Sequence, residues 1–87
     1  VYVSAVELEP GTAVWVRARA YWRRALVVRV LRGRVEVVFR LSSTPRLVRQ
    51  RVPLEAVRLS TWEPPLLLHL NVAAPTLDEA RAADLLP

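Results

Sequence analysis

Between Ala13 and Val52, branched apolar residues alternate with arginine and other polar residues, and a period of two folds as half-buried strand. In AVWVRAR, Val14, Val16 and Ala18 share one side, while Trp15, Arg17 and Arg19 share the other. Pro10-Gly11, just before it, signals a turn. Residues 23–31 are rich in β-branched apolar side chains, and Arg32-Gly33 offers a tight connection. RVEVVFRL then sets Val35, Val37, Phe39 and Leu41 against Glu36, Val38 and Arg40, which predicts a hairpin with glycine in its turn. After the polar loop SSTPR, LVRQRV alternates Val48, Gln50 and Val52 with Leu47, Arg49 and Arg51. PLEAV, opened by Pro53, has room for one helical turn, and RLS suits a last short strand. Strands this short and closely spaced predict an all-β fold, a small five-stranded barrel over residues 10–60.

The flanks have a different grammar. Residues 1–9 form an N-terminal extension. Residues 61–75 hold two adjacent prolines and then an apolar run, expected as an extended segment packed on the barrel or on a neighbour. In the second case Leu66, Leu67, Leu68 and Leu70 become docking residues. Within 76–87, Thr76 followed three residues later by Glu79 is a capping box. With Leu77, Ala80 and Ala83 at helical spacing, it predicts a short amphipathic α-helix from about 77 to 86, its acidic first turn matched to the helix dipole.

Eighty-seven residues, 53% of them hydrophobic, make one small domain with a marginal core rather than a disordered chain. No stretch approaches the roughly 20 uncharged apolar residues of a membrane span, so no membrane partner is expected. Val1-Tyr2-Val3 does not resemble a signal peptide, and the chain reads as a soluble fragment of something longer. Without cysteine there is neither a disulfide framework nor a thiolate metal site.

Charge is unevenly spread. All 13 cations are arginine, and twelve of them lie between Ala13 and Leu59 against only Glu36 and Glu55. The remainder carries Arg81 against six acids, so a basic body has acidic ends. This asymmetry points to an anionic partner, or to acidic ends folded back over the body.

The stretch from EPGTAVWVRARAYW to VPLEAVRL resembles the Tudor-domain family, small SH3-like barrels of the Royal superfamily. The matching features are Gly11 opening the first strand, Val14-x-Val16-x-Ala18, Trp22 three residues before Ala25, Val35-x-Val37-x-Phe39 and the closing VPLEAVRL. The resemblance implies a chromatin-type reader of methylated lysine or arginine, in the nucleus or cytoplasm, with rings caging the cation. Carried over by position, the cage rings fall on Ala18, Arg23, Phe39 and near Ser42, so the cage is incomplete and would need Tyr21, Trp22 or Trp62 to complete it around Phe39. A weaker resemblance, in VWVR and the tryptophan after it, is to the DNA-binding C-terminal domain of retroviral integrases, although Trp22 is followed by Arg23-Arg24-Ala25 and not by that family's Gly-Pro step.

Three kinds of binding module follow from these residues. Nucleic acid, DNA or RNA, is expected on Trp15, Arg17, Arg19, Arg23, Arg24, Arg49 and Arg51, with arginine for phosphates and exposed rings for bases. An acidic peptide could use the same arginines, a methylated segment would use the partial cage of Tyr21, Trp22 and Phe39, and a structural docking module would use the leucine-rich tail. Catalysis is not expected. His69 is the only histidine and sits in an apolar run, and the chain offers no cysteine or lysine nucleophile, no metal-ligand spacing and no Gly-rich phosphate loop, hence no cofactor.

Overall fold

The computed structural model describes residues 8–41, 46–65 and 73–86. Strands β1 (Ala13–Ala18), β2 (Tyr21–Leu31), β3 (Arg34–Arg40), β4 (Leu47–Pro53) and β5 (Val57–Leu59) are followed by helix α1 (Leu77–Ala82), with a single 3-10 turn at Leu54–Ala56 between β4 and β5. β1, β3 and β4 stand on the alternating stretches, whereas β2 begins at Tyr21, ahead of the expected run 23–31, and β5 covers Val57–Leu59. All pairings are antiparallel, in the order β4-β3-β2-β1-β5.

The sheet is open. β4 and β5 occupy opposite ends of the order and do not pair with each other, which corrects the expected closed barrel. With the barrel goes the resemblance to the Tudor-domain and integrase families, which depended on it. The 3-10 turn hands the chain to β5, which lies along β1 through Val16 opposite Val57, at the end of the strand order away from β4.

One face of the sheet carries the core. Val14, Val16, Ala18, Ala25, Val27, Val35, Val37, Phe39, Val52 and Val57 pack with Leu8 from the N-terminal side, and Val48 and Leu54 border them. β-branched side chains suit this layer because they pack on a pleat with little rotamer freedom to lose. On the second face Leu26, Val28 and Val38 form a smaller apolar strip covered by Ala80, Leu85 and Leu86.

β2 holds one residue more than its partner. Val27 lies opposite Val37, yet Arg29 rather than Val28 lies opposite Glu36. Such a bulge re-aims side chains beyond it. Here it leaves Val28 in the strip under the helix and returns Val30 to the core side.

The capping box forms, with the Thr76 hydroxyl accepting from the Glu79 amide at 3.1 Å. The helix is shorter than expected. Asp84 adopts a left-handed conformation (φ 58°), and the amides of Asp84 and Leu85 donate back to the carbonyls of Arg81 and Ala80, the pattern of a Schellman turn. That reversal folds Leu85 and Leu86 down onto the strip. Leu66, Leu67, Leu68 and Leu70, expected as docking residues, lie outside the described residues.

The β1–β2 connection is a two-residue turn, Arg19-Ala20, with φ of 53° and 71°. Both central residues of such a hairpin turn need positive φ, a role that normally falls to Asn and Gly. Neither residue announces a turn by sequence, and each carries the left-handed penalty. Replacing Ala20 with glycine removes that clash at the cost of extra freedom in the unfolded chain. Ala20→Gly is therefore expected to stabilise the domain by about 0.5–1 kcal/mol, read as a rise of several degrees in thermal midpoint. An unchanged or lower midpoint would mean that the turn is not strained.

Candidate anion-binding face

Arginine and tryptophan interleave on the second face of β5, β1 and β2. Trp15 lies between Arg58 on β5 and Arg24 on β2, and in the next row Arg17 lies opposite Trp22. This pattern is a direct product of alternation, since residues directly opposite in a sheet project from the same face. The Arg24 guanidinium sits 4.6 Å from the Trp15 ring centre. Arg58 lies 5.4 Å from Trp22 and 5.8 Å from Trp62, and the two rings are themselves 4.6 Å apart at a 57° tilt. Arg58 is fixed further by donating to the Glu55 and Val57 carbonyls at 2.6 and 2.9 Å. A groove of about 380 Å³ runs between these groups, walled by Trp15, Arg24, Trp62 and Glu63.

Across the helix, the other half of the second face is organised by one carboxylate. Glu36 on β3 is only 5% exposed. Its oxygens lie 3.5 Å from Arg29 on β2, 3.5 Å from Arg49 and 3.3 Å from Arg51 on β4, whose own side chains are half exposed. Burial alone would raise the Glu36 carboxyl, but the Arg51 hydrogen bond and the charges of Arg29, Arg49 and Arg51 outweigh it and hold the group below the ordinary value of 4.5. Three guanidiniums against one carboxylate leave this cluster with an excess of two positive charges, 3 − 1. A groove of about 260 Å³ separates it from Asp84, Leu85 and Leu86.

Between the two halves, Arg40 donates to both Glu79 oxygens at 2.9 and 2.8 Å and to the Ala73 carbonyl at 3.2 Å. The Arg40 bond lowers the Glu79 carboxyl, burial opposes that, and the Thr76 amide adds to the lowering. Glu79 thus closes the capping box and ties the helix to β3.

The residues expected to bind nucleic acid are therefore separated. Arg17, Arg19 and Arg24 are exposed at the β1–β2 end, and Arg49 and Arg51 belong to the Glu36 cluster. Trp15 is only 4% exposed and is covered in part by Arg24. Arg23 points to the core side, where it is buried and donates to the carbonyls of Ala18 (3.0 Å) and Leu41 (2.7 Å). Burial first, then the nearby Arg19 charge, pull its pKa below the ordinary arginine range, with Tyr21 acting in the opposite sense.

The expected aromatic cage does not form. Phe39 is wholly buried on the core face with Arg23 5.5 Å from its ring centre, whereas Trp22 belongs to the second face and Tyr21 stands exposed at the start of β2. Rings on opposite faces of one sheet cannot enclose one cation, so methylated-residue reading is set aside. Glu36 and Arg58 went unnoticed as site residues. Glu36 could have been found as an acid alone among the arginines of a hairpin, but Arg29 comes opposite it only through the bulge, which nothing in the sequence marks. Among the described residues, no group of three or more acids or histidines is placed to hold a metal, and no helix is long and apolar enough to cross a membrane. The chain matches no protein-family model, no curated protein and no solved structure.

Because Glu36 and Glu79 are held below their unfolded values, the stability they confer is complete above about pH 4.5 and is lost as pH falls through the lowered folded values. Glu36→Gln also leaves three guanidiniums facing one another. The variant is expected to melt several degrees below the parent at about pH 7, with the difference closing toward about pH 3. A pH-independent difference in thermal scans would assign the loss to packing and not to charge.

Proposed function

We propose that this chain is a non-catalytic binding module that engages nucleic acid through the arginine–tryptophan half of its second face. The observation that carries the reading is the interleaving of guanidiniums and indoles across β5, β1 and β2 beside an open groove. Exposed Arg17, Arg19 and Arg24 supply charge for phosphates, and the half-buried Trp62 supplies a ring edge and face at the groove wall. Cations that track a backbone beside stacking rings suit a single strand, whose bases are free to leave the stack. Arg17 and Arg19 form no ion pair among the described residues, which leaves their charge available to a ligand. Glu36 and Glu79 serve the fold, the first gathering three arginines and the second holding the helix.

The test is a salt titration of binding to a labelled single-stranded oligonucleotide, alongside a duplex of the same sequence. Affinity is expected to fall steeply with salt, and Arg17→Gln/Arg24→Gln is expected to flatten the log–log slope by about 1 to 2. Trp62→Ala is expected to cost about 1–3 kcal/mol against the single strand and little against the duplex. Binding that ignores salt and both variants would overturn the reading.

A further inference from the structure

Among the described residues, the open sheet pairs β4 (Leu47–Pro53) on one side only, with β3, and leaves its other edge without a neighbouring strand. That edge has a two-sided character. Toward the core face it carries Val48, which borders the core, half-buried Gln50, and buried Val52. Toward the second face it carries Arg49 and Arg51, half exposed and held by Glu36 together with Arg29. Exposed Arg46 precedes the strand, and exposed Arg34 lies opposite its last residue.

We propose that the β4 edge accepts a sixth strand from a partner protein, an extended segment in which acidic and apolar residues alternate. A strand added to an edge gains main-chain hydrogen bonds whatever its sequence, and its alternate side chains decide specificity. Its acidic residues lie beside Arg49 and Arg51, where the cluster has two positive charges to spare. Its apolar residues lie beside Val48 and Val52 and extend the core layer past the point where the sheet stops. A second copy of the chain is a poor occupant, because antiparallel pairing of β4 with itself sets Arg49 and Arg51 against the same pair, and like charges directly opposite are destabilising. Arginine on an edge blocks self-association, and the same residues select for a strand of opposite charge. Glu36 preorganises the site by fixing the guanidiniums before a ligand arrives. This surface lies across the helix from the arginine–tryptophan groove and stands or falls apart from it.

The experiment uses the full chain and three short synthetic peptides. One alternates Glu and Val, one alternates Lys and Val, and one is the acidic peptide with a central Val replaced by Pro, which keeps the charge and breaks the ladder. Amide exchange is followed by NMR, affinity by titration, and mass by sedimentation. The Glu/Val peptide is expected to slow exchange in residues 47–53 and to bind at least about tenfold more tightly than either control. Arg49→Gln/Arg51→Gln, checked for its fold by its amide spectrum, is expected to weaken it by about the same factor. Equal binding of the proline peptide would show charge attraction without strand addition and overturn the proposal. So would protection confined to residues 57–59, or a concentration-dependent dimer that protects β4 without peptide. Because oligonucleotide binding is read on Arg17, Arg24 and Trp62, failure here leaves that result intact.

Discussion

The structure depends on containing its own positive charge. Twelve arginines between Ala13 and Leu59, with two acids among them, must be held within one small sheet without forcing it apart. Among the described residues, each ring that is buried or half buried is matched by a guanidinium: Phe39 by Arg23, Trp15 by Arg24, and Trp22 and Trp62 by Arg58. Each contact is worth about 0.5–2 kcal/mol depending on how much water is excluded. These pairings give a physical sense to the use of arginine throughout, because a planar, weakly hydrated guanidinium stacks on a ring where a compact ammonium would keep its water.

The remaining charge is met by two carboxylates placed at different levels of the fold. Glu36 belongs to the sheet and is shared among β2, β3 and β4, so it works as an electrostatic rivet across three strands. Glu79 comes from the C-terminal side and answers Arg40 on β3. A helix of six residues has no stability of its own in water. α1 exists because Ala80, Leu85 and Leu86 cover Leu26, Val28 and Val38, and because Glu79 both caps it and anchors it. The acidic end folded over the basic body is thus partly realised, as one specific ion pair on a short apolar seat and not as a diffuse charge cloud.

Alternation made the strands readable, because burying one face of a sheet imposes a period of two and Val14, Val35 or Val52 could sit nowhere else. The capping box was equally plain, since Thr76 and Glu79 bond each other locally. What escaped reading was everything decided by two strands at once. The turn at Arg19-Ala20 has no turn residue, so its conformation is imposed by the pairing of Ala18 with Tyr21. Closure failed for a similar reason: strand count and spacing are the same for an open sheet and a barrel, and only whether β4 pairs with β5 distinguishes them. Arg23 looked like its exposed neighbour Arg24, yet adjacent residues in a strand face opposite ways, and its face is the one that holds Phe39.

The bulge in β2 ties these features together. β2 pairs with β3 on both sides of it, but upstream β2 also pairs with β1 and carries the arginine–tryptophan groove, and downstream it brings Arg29 to the Glu36 cluster. Without the extra residue, Val28 would stand opposite Glu36, and Arg29 would turn toward the core side beside Val35. That single change would remove one of three cations from the buried carboxylate and place a charge against the largest apolar layer. The phase change in the strand that both arginine surfaces share is thus what adds Arg29 to the pair Arg49 and Arg51 already brought to Glu36 by β4.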